Sequence, residues 1–85
     1  MIQIMVPDFK WEGEEWTIRK VESFHSLYEI LKYCDGGIEN IFVDAQDIDN
    51  YEAGLQQIFK EIKWVKKILI RHQDILIGCF ISRSK

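Results

Sequence analysis

Residues 38–81 read IENIFVDAQDIDNYEAGLQQIFKEIKWVKKILIRHQDILIGCFI. Within them the run Ile41, Phe42, Val43 leads to Asp44 and is apolar on both faces, the habit of a central parallel strand. Residues 50–65 then change period. Tyr51, Leu55, Ile58, Phe59, Ile62 and Val65 recur at the spacing of one buried helical stripe. Asp49 to Glu52 offers a capping-box-like start, and Lys60, Lys63, Lys66 and Lys67 load the far end, where positive charge suits the helix dipole. Two β-favouring runs follow, residues 68–70 and 75–81, with a turn over residues 71–74 between them. Gly78 inside the last run marks a bulge or a close backbone approach.

Upstream, Ile2, Ile4 and Val6 alternate with Gln3 and Met5, the period of a half-buried strand, and Pro7 ends the run. Residues 8–15 turn to acids, aromatics and Gly13, which reads as a hairpin loop. Residues 15–21, with Trp16, Thr17, Ile18 and Val21, read as a second strand, antiparallel to the first because the connection is short. Ser23 is a suitable N-cap for a helix over residues 24–34, and Ser26 with Glu29 offers a second capping box one turn on. Phe24, Leu27, Ile30, Leu31 and Cys34 share one face of it. Asp35, Gly36 and Gly37 stop it.

The fold class is therefore α/β, of a two-layer α+β-like kind. A mixed five-stranded sheet carries two helices, with elements in the order β-β-α-β-α-β-β and a single domain over residues 1–85. Right-handed crossovers make the second, third and fourth strands parallel. If the strand order never reverses, both helices lie on one face and the other is bare. Ile41 or Phe42, Leu69 and residues 75–81 nevertheless place apolar groups on both sides. Either the order reverses, or the bare face is a partner or dimer interface.

Eighty-five residues supply one core without room for a deep substrate cavity, which favours a non-catalytic role. The apolar fraction of 47% and charged fraction of 29% are those of a soluble globular domain. No basic leader and no bilayer-length apolar run is present, so a cytoplasmic location without membrane association is expected. Cys34 and Cys79 form no CxxC pair and, with His25 and His72, lack zinc-ligand spacing; both are expected as buried, reduced thiols. There is no GxSxG, P-loop or GxGxxG signature, so no catalytic residue, metal or cofactor is assigned.

Charge is unevenly spread. Residues 1–54 hold twelve acids against four bases, a net of −8, and residues 55–85 hold seven bases against two acids, a net of +5. The expectation is a small non-catalytic protein-binding domain, a bacterial or phage regulator, inhibitor or immunity-type protein. Its acidic surface meets a basic protein partner through Trp11, Glu12, Glu14, Glu15, Asp47 and Asp49. A homodimer through the open sheet face or the strand at residues 75–81 is the other association this sequence allows. An alternative is a ligand-binding, metal-binding or enzymatic domain using Asp44, Asp47, Asp49, Asn50 and Glu52, oxygen donors at a strand's carboxyl edge suited to Mg²⁺ or Ca²⁺. Helix capping explains much of that cluster, and its spacing is not that of an EF-hand. Trp64 among Lys60, Lys63, Lys67 and Arg71 forms a basic-aromatic patch, but the net charge of −3 weighs against nucleic acid.

The run Ile41-Phe42-Val43-Asp44 through Gly54-Leu55 resembles the central segment of STAS domains, where an apolar strand leads to an Asp-Ser-Ser-Gly-Leu helix start. The resemblance implies a regulatory domain. Here the helix starts Tyr51-Glu52-Ala53-Gly54-Leu55, with no serine to phosphorylate and one residue fewer in the loop. The succession of helix, acid-rich loop and helix is also similar to barstar-type ribonuclease inhibitors, without the middle helices that make that family's inhibitory contacts.

Overall fold

The structure, a computed structural model, describes residues 7–34 and 38–82. The strand expected over residues 2–6 and the glycine stop at residues 36–37 lie outside the described residues. Five strands and two helices follow in the expected order: β1 Phe9–Trp11, β2 Glu14–Val21, α1 Phe24–Lys32, β3 Asn40–Ala45, α2 Tyr51–Glu61, β4 Lys67–His72 and β5 Ile75–Ile81. Part of the segment read as a loop is thus itself a strand. β1 pairs antiparallel with β2 through a tight turn at Glu12 and Gly13, both at positive φ.

The sheet order is β1-β2-β3-β4-β5, with β2, β3 and β4 parallel and the outer pairs antiparallel. The order does not reverse. Two right-handed crossovers that step the same way must place both helices on the same side of the sheet. The core confirms it: Val21 from β2, Ile41, Val43 and Ala45 from β3, and Ile68 and Ile70 from β4 share one buried cluster with Leu27, Leu31, Leu55 and Ile58 of the helices. Each valine, leucine or isoleucine among them contributes about 1.5–3 kcal/mol by leaving water.

Local chemistry sets the helix ends. Ser23 is the cap of α1, its hydroxyl accepting from the Ser26 amide at 3.3 Å. The start of α2 differs from the expected capping box. Asn50, at φ 56, makes no side-chain cap, and Asp47 instead accepts from the Asp49 amide at 2.8 Å. α2 also ends at Glu61, short of Val65; Ile62 and Val65 stay buried in the loop that follows, so the stripe outlasts the helix. Gly54 sits where the helices cross, and a Cβ there would lie 2.6 Å from Phe24 Cβ. The Tyr28 hydroxyl, donating to Glu61 at 2.6 Å, ties α1 to α2. That bond holds Tyr28 above the usual phenol range, and the same bond, then Gln57, lowers Glu61.

β4 is longer than residues 68–70, and the turn shrinks to Gln73 and Asp74, both left-handed at φ 49 and 63. The irregularity expected at Gly78 is present, as a register shift between Ile70 and Arg71 opposite residues 76–78. Cys34 is buried, but Cys79 is exposed, because β5 is an outer strand with little above it. Both thiols are free.

Candidate functional site

Strand alternation sorts every sheet residue onto one of two faces. The register opposes Trp16, Ile18 and Lys20 to Asn40, Phe42 and Asp44, and these in turn to Lys67, Leu69 and Arg71. All of them project away from the helices, together with Phe9 and Trp11 of β1 and Leu76, Cys79 and Ile81 of β5. No described helix covers this face. Among the described residues six large hydrophobic side chains are exposed, and four of them, Trp11, Ile18, Leu76 and Ile81, stand here.

The aromatic residues of the face are organised around Trp16. Phe9 stacks on it with ring centroids 6.1 Å apart, Trp11 leans over it at 5.9 Å, and Phe9 meets Phe42 edge-on at 6.0 Å. Trp16 is therefore 1% exposed although it lies outside the helix-side core, whereas Trp11 remains 50% exposed. The Trp16 indole N–H is buried with no hydrogen-bond partner among the described residues. Aromatic bodies of this size at a surface are the side chains that anchor interfaces.

Two ion pairs frame the aromatic centre. Lys67 Nζ reaches Glu14 at 2.6 Å, and Arg71 reaches Asp44 at 3.0 Å with its guanidinium 5.9 Å above the Phe42 ring. The hydrogen bond from Lys67 lowers the Glu14 carboxyl, and the same bond raises Lys67. At the outer margin, Asp8 accepts from the Ile18 amide at 2.7 Å and the Thr17 hydroxyl at 3.0 Å, which together hold its carboxyl below the usual range.

The residues expected to form one acidic contact surface are divided. Trp11 and Glu14 lie on the helix-free face, Glu12 in the β1–β2 turn, and Glu15 on the opposite side of the hairpin. Asp47 and Asp49 follow β3 at the other end of the sheet, beside the end of β2, where the Asp47 amide donates to Glu22. From Glu15 to Val21 is about 20 Å at ~3.3 Å per residue, so the hairpin stands at one end of the sheet and Asp47 and Asp49 at the other. The charge halves also meet in space: Glu14 and Glu39 pair with Lys67 and Lys66. At the carboxyl edge the acids persist, with Glu22, Asp47, Asp49, Glu52 and Asp74 all exposed.

The oxygen cluster at Asp44 to Glu52 is not gathered on a point. Asp44 is turned to Arg71 and Asp47 to the Asp49 amide, and among the described residues no three His, Cys, Asp or Glu side chains converge as metal ligands. What sequence reasoning missed is the grouping of Phe9, Ile18, Phe42 and Leu69. The alternation of Trp16 and Ile18 was the available signal, but only strand order says which alternating set goes uncovered.

No protein-family model, curated protein or solved structure matches this chain. The likeness to STAS and barstar-type domains rests on local sequence alone, and Gly54 and Leu55 have packing reasons of their own, at the helix crossing and in the core. Among the described residues no helix is long and apolar enough to cross a membrane.

Proposed function

We propose that this domain is a non-catalytic protein-binding module that docks through the helix-free face of its sheet. The observation that carries this reading is that four exposed large hydrophobics stand on that face, Trp11 and Ile18 beside the packed aromatic group at Trp16, and Leu76 and Ile81 across β3 and β4 from it on β5. Isolated surface hydrophobics are ordinary, but a sheet face that presents several of them, with half-buried Phe42 and Leu69 between, has the composition of an interface core. Trp11 is the anchor, with Glu14 beside it. The exposed acids of the carboxyl edge, Asp47 and Asp49 among them, lie outside the apolar centre and steer a partner whose rim is basic.

A photo-crosslinking amino acid placed at Trp11, Ile18 or Leu76, and separately at exposed His25 on the helix side, tests this in extract of the native host. The same partner should crosslink from the three sheet positions and not from His25, and Trp11→Ala should abolish capture. Raised salt should slow association without eliminating it. A partner that crosslinks only from His25, or binds Trp11→Ala as well as the parent, contradicts the reading.

A further inference from the structure

A second surface lies on the helix side, along the outer edge of β5, which pairs with no further strand among the described residues. The Ser82 amide donates to the Lys66 carbonyl at 2.7 Å, and Ile81 stands opposite Lys67 in the same register. Antiparallel ladders alternate, so Phe80 and Gly78 also bond inward to β4, while the N–H and C=O groups of Cys79 and Ile81 point outward. Exposed edges are normally blunted by charge or proline, yet Ile75–Ile81 contains neither, and the irregularity at residues 76–78 leaves residues 79–81 regular.

Above this edge the outer flank of α2 forms the other wall of a groove of about 870 Å³. Leu55, Phe59 and Phe80 supply its apolar lining, and Glu52, Gln56, Lys60 and Lys63 its polar rim. Lys66, Lys67 and Arg71 are each ion-paired, whereas Lys60 and Lys63 make no ion pair among the described residues. A strand edge with outward backbone groups, an apolar trough beside it and two ammonium groups that outnumber the single carboxylate of Glu52 are complementary to one kind of ligand.

We propose that the groove between α2 and the outer edge of β5 takes an extended peptide carrying an apolar side chain and, two residues along, a carboxylate, and that this peptide pairs with β5 as a sixth strand. Backbone bonds to Cys79 and Ile81 provide the pairing, and side chains two apart fall on the same side of the added strand. One enters the trough at Phe80 and Phe59; the next reaches Lys60 and Lys63. A second copy of β5 pairs less well, because Ile75–Ile81 has no carboxylate to offer those lysines. This site shares β5 with the helix-free face but uses the backbone of Cys79 and Ile81 rather than their side chains, and it does not depend on the reading proposed for that face.

The test is an amide-resolved NMR titration with short acetylated peptides of alternating threonine and one of valine, leucine or phenylalanine, each with an aspartate two residues from the apolar side chain. Binding should shift Cys79, Ile81, Lys60 and Lys63 and slow hydrogen exchange at Cys79 and Ile81. The K60Q/K63Q variant should bind about five- to tenfold more weakly, with no such loss when asparagine replaces the aspartate. Ile81→Pro removes an outward N–H without breaking the β4 ladder and should abolish binding, whereas Trp11→Ala should leave it unchanged. Absence of shifts at Cys79 and Ile81 throughout the panel, equal affinity for K60Q/K63Q, or a β5-paired dimer that excludes peptide would overturn the proposal.

Discussion

Glu14 of β2 and Lys67 of β4 pair at 2.6 Å although β3 runs between their strands and 53 residues separate them along the chain. Beneath them the Asn40 side chain of β3 donates to the Glu15 carbonyl at 3.1 Å. The first acidic turn of the hairpin is thus clasped to the basic end of the α2–β4 connection, and the sheet's amino edge is closed by groups from opposite ends of the charge split.

This clasp has a pH signature. Glu14 is lowered by its bond to Lys67 and Lys67 is raised by the same bond. The Glu14 contribution is present above its unfolded pKa and lost as pH falls through the folded one; that of Lys67 is present below its unfolded pKa and lost as pH rises through the folded one. The pair acts fully between the ordinary carboxylate and lysine ranges. Glu14→Gln should flatten the fall in urea-unfolding stability on the acid side of that window. An unchanged acid limb would show that the pair contributes nothing to folding.

The two faces of the sheet should respond differently to truncation. Ile58, fully buried between α2 and the sheet, should cost about 2–5 kcal/mol on Ile58→Ala. Ile18, 39% exposed on the helix-free face, should cost well under that on Ile18→Ala. Denaturant midpoints with unchanged slopes measure both. Equal losses would place Ile18 in a core the fold does not have.

Gly54→Ala sets helix propensity against packing. Alanine gains about 1 kcal/mol in a helix interior, but its Cβ would stand 2.6 Å from Phe24 Cβ, where neither atom can rotate away. Overpacking of this kind costs about 1–3 kcal/mol, so the variant should melt lower than the parent. A higher melting temperature would mean that the helices separate freely at this crossing.

The thiols should separate kinetically. Cys79 is exposed and Cys34 buried, its Sγ 3.2 Å from the Ile30 carbonyl. An aromatic disulfide reagent should modify Cys79 under native conditions and Cys34 only on unfolding. Simultaneous reaction of both would contradict the packing of Cys34 beneath α1.

Much of the fold was legible because local chemistry and burial agreed. Ser23 stands at the end of a β-favouring run and immediately before an apolar helical stripe, and it caps that helix. Ile41 and Val43 lie in a short run, apolar on both faces, of the kind a central parallel strand shows, and it is the middle of the sheet. The end of α2 was not legible, because Ile62 and Val65 keep helical spacing while packing from a loop. Nor was the division of the acidic residues. Periodicity says which side chains are buried, but the ends of the sheet at which Glu12 and Asp47 emerge depend on strand direction and order, which long-range pairing decides.

Exposure of the helix-free face underlies the account and can be measured with a soluble paramagnetic gadolinium chelate on protein labelled at isoleucine and leucine methyl groups. The methyls of Ile18, Leu76 and Ile81 should relax strongly, and those of Ile41, Ile58, Ile68 and Ile70 should be protected. Protection of Ile18, Leu76 and Ile81 to the level of Ile41 in the monomer would contradict it, because the surface proposed to receive a partner would already be covered.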